Sequence, residues 1–94
     1  MGKRARPKPK RLAEKLLRVR EALGVSQSEM FRLLGVEEFS EVKRISDYEI
    51  DKSEPPLPVL LQYARVAGVC VDVLIDDNLD LPDKLPAKPK HRLS

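Results

Sequence analysis

Apolar residues recur along the middle of the chain at the spacing of helices that bury one face. The first such group ends at Gly24 and contains Leu12, Leu16, Val19 and Leu23. Residues three and four positions apart share one side of an α-helix, and glycine is a frequent helix-ending residue. The pattern predicts a first helix over residues 11–23.

Capping signals predict the second helix. Ser26 and Glu29 have the spacing of a capping box, in which each side chain accepts from the backbone N–H of the other residue. Gly35 suits the left-handed conformation that ends a helix. The residues expected to face the core are Met30, Leu33 and Leu34.

A third helix is predicted over residues 41–50, with Ser40 as its cap and Phe39 as a plug over the edge of the core. Its inner face is expected to comprise Val42, Ile45, Tyr48 and Glu49. Its outer face is expected to carry Lys43, Arg44, Ser46 and Asp47.

Two more helices complete a predicted all-α bundle. Pro58 suits the start of a fourth helix, and Gly68 suits its end. The apolar stripe of this helix is expected to contain Leu57, Leu60, Leu61, Ala64 and Ala67. A short fifth helix over residues 71–77 would close the bundle through Val71, Leu74 and Ile75.

Charge divides the chain into an acidic middle and basic ends. Residues 1–20 carry nine Lys or Arg and one Glu (+8), residues 21–83 carry five basic and fourteen acidic residues (−9), and residues 84–94 add +4. The ends hold few large apolar residues, which favours disorder. We therefore predict a basic arm (1–10), a folded domain (11–79) and a basic tail (80–94), with disorder in both ends.

Composition argues against several classes of protein. A single cysteine, Cys70, excludes an intramolecular disulfide and fits a reducing cytoplasm. It is expected to be a small buried hydrophobic residue. No apolar run has the ~20 residues that a membrane span requires.

Catalysis is poorly supported by the sequence. The only histidine, His91, lies in the basic tail, and no metal-ligand spacing or phosphate-binding glycine loop occurs. The acidic residues Asp76, Asp77, Asp80 and Asp83 lack the spacing of a calcium loop and are interpreted as a solvated helix end. We predict no enzyme activity and no cofactor.

Several side chains suit DNA. Gln27, in the first turn of the second helix, could clamp a phosphate together with free backbone N–H groups. Lys43 or Arg44 could pair with guanine O6 and N7, and Asp47 could accept from a cytosine amino group. The alternatives are an ordinary exposed helix start at Gln27 and a solvated charged face on the third helix.

The motifs resemble those of the Xre/Cro/cI family of helix-turn-helix regulators. Residues 12–77 contain LLRVREALGVSQSEMFRLLG, from Leu16, and ISDYEIDKSEPPLPVLLQYARVAGVCVDVLI, from Ile45. The family order is a Leu/Arg-rich helix, Gly-x-Ser-Gln, Ile-Ser-x-aromatic-Glu, a proline-containing turn and a Leu-x-x-x-Ala-x-x-x-Gly-Val end. The resemblance implies a five-helix, lambda-repressor-like domain that binds DNA as a symmetric dimer.

Residue roles follow from this resemblance. It implies that Gln27 contacts phosphate, that Val42, Lys43, Arg44 and Asp47 meet bases, and that Ile45, Tyr48 and Glu49 are structural. Two departures are a longer acidic connection before the third helix and Asp51 where the family usually has glycine. The full set of predicted phosphate contacts is Gln27, Ser26, Ser40, Ser46, Lys52, Lys3, Arg4, Arg6, Lys8 and Lys10.

The sequence thus predicts a cytoplasmic, sequence-specific DNA-binding transcriptional regulator, a repressor or autoregulator, acting on double-stranded DNA as a homodimer. Val71, Val73 and Leu79 are the expected dimer surface. The alternative is an antitoxin-like or adaptor module of the same fold, in which the C-terminal tail binds a protein partner.

Overall fold

The computed structural model describes residues 9–38 and 41–86, and within these ranges all regular structure is helical. The five helices are α1 (Leu12–Leu23), α2 (Gln27–Leu34), α3 (Lys43–Glu49), α4 (Leu57–Ala67) and α5 (Val71–Ile75). The predicted all-α class is confirmed. Phe39, Ser40 and the predicted disorder of residues 1–8 and 87–94 lie outside the described residues.

The ends of α1 and α2 follow the local sequence signals. Gly24 and Gly35 end these helices with φ angles of 73° and 66°, in the left-handed region. Ser26 Oγ accepts from Glu29 N at 3.1 Å, and Ser26 N donates to Glu29 Oε1 at 2.9 Å. The capping box is therefore confirmed.

The predicted start of the third helix is wrong. α3 begins at Lys43, and Val42 precedes it without a side-chain capping bond. Val42 is 42% exposed instead of facing inward, whereas Ile45, Tyr48 and Glu49 are buried as expected. The residue just before α3 is thus exposed, whereas Ile45 in the first turn is buried. After α3, Asp51 turns the chain with a φ of 63°, which aspartate tolerates better than most residues.

The core lies between α1 and the other helices, with α1 against α3, α4 and α5. On α4 the inward stripe is rotated from the predicted one, because Val59 and Tyr63 are buried while Leu57 and Leu61 are exposed. The buried positions 59, 60, 63, 64 and 67 keep helical spacing, so positions 57 and 61 fall outside the stripe. The inward assignments of Leu33 and Ile75 are also wrong, because both side chains are exposed.

The C-terminal part differs from expectation in three ways. α5 ends at Ile75 and does not reach Asp77. Cys70 is exposed, because it precedes α5 and lies outside the helical face that buries Leu74. Leu81 and Leu85, in the region predicted to be the tail, pack against the core.

Polar contacts fasten this segment to α1. Lys15 is 1% exposed, and its Nζ donates to the carbonyl oxygens of Val73 (2.8 Å), Asp76 (2.9 Å) and Leu79 (2.7 Å). A cation suits the free carbonyls at a helix C-terminus. The buried charge is therefore compensated by three acceptors around the end of α5.

A second set of contacts, which we call the terminal clasp, joins Lys10 and Arg11 to Asp77 and Asp80. Asp77 Oδ2 and Oδ1 accept from the backbone N–H groups of Lys10 (2.9 Å) and Arg11 (3.0 Å). Arg11 Nη2 lies 2.8 Å from Asp80 Oδ1. The backbone bonds from Lys10 and Arg11 lower the pKa of Asp77, and the bond to Asp80 raises the pKa of Arg11.

Candidate nucleic-acid interface

A buried polar network fixes α3 relative to α1 and α2. Arg20 Nε donates to Glu49 Oε2 at 2.6 Å, and Arg20 Nη2 donates to Glu49 Oε1 at 3.1 Å. Gln27 Nε2 also donates to Glu49 Oε1, at 3.1 Å, and Arg20 Nη1 reaches Val25 O at the same distance. Hydrogen bonding to Glu49 raises the pKa of Arg20. Residues from three helices thus meet at one carboxylate.

The opposite side of α3 presents cations to solvent. The side chains of Lys43 and Arg44 are 71% and 48% exposed, respectively. Inward packing of Ile45, Tyr48 and Glu49 at helical spacing leaves these two long side chains outside the core. The structure therefore brings the two predicted base-contacting cations together on one accessible face, with exposed Val42 next to them.

Acidic neighbours accompany both cations. Arg44 Nη1 contacts Asp47 Oδ2 at 3.3 Å, and Lys43 Nζ lies 3.8 Å from Glu41 Oε1. Exposed pairs of this kind contribute little, about 0–1 kcal/mol, so an incoming phosphate or base can replace them. Asp47, predicted to accept from cytosine, accepts from Arg44 in the free protein.

The predicted phosphate contacts within the described residues differ in how available they are to a ligand. The amide nitrogen of Gln27 donates one hydrogen to Glu49, so its second N–H and the first N–H groups of α2 remain available to a phosphate. Lys10 and Lys52 are exposed, and Ser46 is half-buried. The Ser26 oxygen accepts from Glu29 N, and the hydroxyl hydrogen is a further donor. Outside the described residues lie Ser40, Lys3, Arg4, Arg6 and Lys8.

A depression beside α3, which we call the acidic cleft, is lined by the residues flanking positions 39–40 and by the turn after α3. Four of its lining residues are glutamates, and Arg44 is the only basic one, which gives a formal net charge of −3. Arg44 therefore belongs both to the cationic face and to this cleft. The complete lining is Glu37, Glu38, Glu41, Arg44, Tyr48, Ser53, Glu54 and Pro56.

A second depression, the apolar groove, lies at the start of α4. Leu57 and Ile75 contribute exposed aliphatic surface to it, and Leu57 is 76% exposed. Pro9 lies in the same groove, which places the beginning of the described chain beside the turn after α3. The remaining lining residues are Glu54, Pro55, Pro56 and Leu60.

Comparisons with protein-family models, curated proteins and solved structures find no match for this chain. Within residues 9–38 and 41–86, His, Cys, Asp and Glu side chains form no group that could hold a metal ion. In the same part of the chain, every helix is too short or too polar to cross a membrane.

Sequence reasoning missed three residues that shape the region. For Arg20 the sequence contained a signal. It is a basic residue directly after the inward-facing Val19, and from that position it can reach a buried glutamate on another helix. Lys15 also had one, because it interrupts the apolar stripe of α1 next to Leu16. Asp77 had no local signal, since its backbone partner Arg11 is 66 residues away.

Proposed function

We propose that the chain is a sequence-specific DNA-binding transcriptional regulator, a repressor or autoregulator, in which α2 and α3 act as a helix-turn-helix. The observation that carries this proposal is the two-sided construction of α3. Its inner side is held by Glu49 to Arg20 and Gln27, while Lys43 and Arg44 are exposed on the outer side. A rigid support behind projecting cations suits insertion into the major groove.

Base recognition is assigned to the outer side of α3. Arg44 or Lys43 would pair with O6 and N7 of guanine, and Asp47 would accept from a cytosine amino group. Because Arg44 and Asp47 contact each other at 3.3 Å in the free protein, both must exchange this contact for base contacts on binding. Val42, exposed just before α3, supplies an apolar contact for a thymine methyl group.

Phosphate recognition is assigned to the two flanks of α3. On one flank, the start of α2 offers N–H groups and the Gln27 side chain, which Glu49 holds in place. On the other flank, Lys52 is exposed in the turn after α3. The arm adds Lys3, Arg4, Arg6 and Lys8, and Lys10 is exposed at its base. These cations offset the repulsion that the −9 middle of the chain exerts on DNA.

A homodimer would give the two-fold symmetry that palindromic operators require. The apolar groove with Leu57 and Ile75 is the better candidate surface, because both side chains expose aliphatic area beside each other. On the surface predicted from sequence, Val71 and Val73 are half-buried and Leu79 is exposed. We therefore assign the dimer contact to Leu57 and Ile75.

Selection of bound sites from a random DNA pool tests the proposal directly. An enriched, dyad-symmetric sequence is the expected result. Lys43→Ala and Arg44→Ala should each relax the base preference at particular positions of the selected DNA site. Each should also weaken binding to that site by about 1–3 kcal/mol. Arg65→Ala is the charge-matched control, because Arg65 is exposed on α4 and does not line the acidic cleft. If the Lys43 and Arg44 variants bound a selected operator as tightly as the parent protein, the assigned base contacts would be contradicted.

A variant in which Lys3, Arg4, Arg6 and Lys8 become glutamine distinguishes the contribution of the arm to DNA binding from that of α3. Fewer phosphate contacts should weaken binding to all sequences alike and reduce the slope of log K against log salt. The base preference should stay that of the parent. A changed preference would assign base reading to the arm instead.

The exposed acidic cleft favours a second candidate, a protein-interaction module of the same fold that binds a basic partner. Gel shifts with random DNA at about 50 mM salt distinguish the two, because cationic contacts with phosphate are strongest at low salt. A shifted DNA band supports the DNA-binding regulator, and the complete absence of a shifted band supports the interaction module.

A further inference from the structure

The acidic cleft and the apolar groove share two wall residues, Glu54 and Pro56. Pro9, the first residue that the structure describes, lies in the apolar groove. The chain that precedes Pro9 therefore joins the folded part next to the acidic cleft. The arm is thus attached beside Glu54, one of the four glutamates of the cleft.

The cleft and the arm have opposite charge. Within residues 9–38 and 41–86, the side chains of Glu37 and Glu38 form no hydrogen bond or ion pair, and the Glu41 carboxylate has only its 3.8 Å contact with Lys43. Residues 1–8 carry Lys3, Arg4, Arg6 and Lys8 and no acidic residue. Clustered carboxylates repel one another, and cations placed among them remove that repulsion.

The length of the arm also fits. Eight extended residues span at most about 28 Å, and they are attached at Pro9, in a groove that shares Glu54 and Pro56 with the cleft. Proline fixes its own backbone φ angle, and the sequence has prolines at positions 7 and 9. A partly preorganised segment loses less conformational entropy when it binds. Attachment at Pro9 makes the association intramolecular, so weak ion pairs suffice at a high effective concentration.

We propose that the acidic cleft is the docking site of the chain's own basic arm, residues 1–8. The docked arm places its cations among Glu37, Glu38 and Glu41, next to Arg44. DNA phosphates then compete with these glutamates for the same arm. This docking requires no DNA and does not rest on the proposed regulatory function.

A nitroxide spin label on the arm tests the proposal in the full-length chain without DNA. Cys70→Ser with Ala5→Cys leaves one thiol for the label, since Cys70 is the only cysteine. At about 50 mM salt the label should strongly broaden the NMR signals of the cleft amides, including those of residues 37, 38 and 41. At about 1 M salt, where the Debye length is about 3 Å, these signals should recover.

The decisive comparison uses two triple variants with the same change in charge. Glu37→Gln, Glu38→Gln and Glu41→Gln together should abolish the broadening. Glu14→Gln, Glu21→Gln and Asp83→Asn, all exposed and outside the cleft, should leave it intact. Equal broadening in both triple variants, or broadening spread evenly over the surface, would overturn the proposal.

A mixing experiment distinguishes the chain's own arm from that of a second copy. Spin-labelled chain without isotopes is mixed with isotope-enriched chain that carries no label. The cleft signals of the enriched chain should stay sharp. Their broadening would assign the cleft to the arm of another molecule and would overturn intramolecular docking.

Discussion

Arg20 on α1 and Glu49 on α3 form a two-bond ion pair of 2.6 and 3.1 Å that is largely shielded from water. Their side chains are 19% and 4% exposed. The same carboxylate accepts from Gln27 at the start of α2. The orientation of α3 therefore depends on one acidic side chain as well as on apolar packing.

Glu49→Ala should lower the free energy of unfolding by about 3 kcal/mol, because it leaves the Arg20 charge poorly solvated and without its partner. Urea denaturation measures the change. Asp47→Ala is the matched control on the same helix, since it removes only the exposed contact with Arg44 and should cost less than about 1 kcal/mol. Equal losses in the two variants would show that Glu49 does not stabilise the helix arrangement.

Lys15→Met should lower the free energy of unfolding by about 2 kcal/mol, because three carbonyl oxygens at the end of α5 lose a charged donor while apolar volume is kept. Hydrogen exchange should accelerate at Asp76 and Leu79, whose N–H groups lie in this segment. Arg18→Met, exposed on the same helix, should leave both quantities near the parent values. Unchanged exchange in the Lys15 variant would contradict the role of its ammonium group.

Asp77→Asn should make the terminal clasp weaker in a pH-dependent way. The folded state lowers the pKa of Asp77 through the backbone bonds from Lys10 and Arg11. The carboxylate therefore stabilises the fold above its unfolded pKa of about 4, and this contribution is lost as pH falls through the lower folded pKa. The difference in unfolding free energy between parent and variant should be present at pH 7 and shrink in acid.

Asp83→Asn is the control for this pH dependence, because Asp83 is exposed and has no bond to the start of α1 among the described residues. Denaturation curves of the three proteins at several pH values provide the comparison. A parent-to-Asp77 difference that is the same at pH 7 and in strong acid would contradict the clasp.

Leu57→Glu should shift the proposed dimer toward monomer, because a carboxylate would have to be desolvated in the apolar groove. Light scattering at micromolar concentration measures the change. Leu61→Glu is the control, since Leu61 is exposed on the same helix but does not line the groove. A monomeric parent, or equal dimerisation of the two variants, would remove the assigned interface.

Local sequence was sufficient for the features that depend on neighbouring residues. The helix ends at Gly24, Gly35 and Gly68 follow from the left-handed backbone that glycine accepts, and the capping box follows from the spacing of Ser26 and Glu29. The inward positions of Ile45, Tyr48 and Glu49 follow from helical periodicity. These features require no knowledge of distant parts of the chain.

Tertiary structure decided what depends on distant partners. Periodicity defines a stripe only to within part of a turn, so the rotation that buries Tyr63 and exposes Leu57 depends on how α4 packs. The same holds for Lys15, whose charge is acceptable in the interior only because Val73, Asp76 and Leu79 present carbonyls there. Chain order alone also cannot show that Pro9 lies in a groove that shares Glu54 and Pro56 with the acidic cleft, because that proximity exists only after the helices have packed.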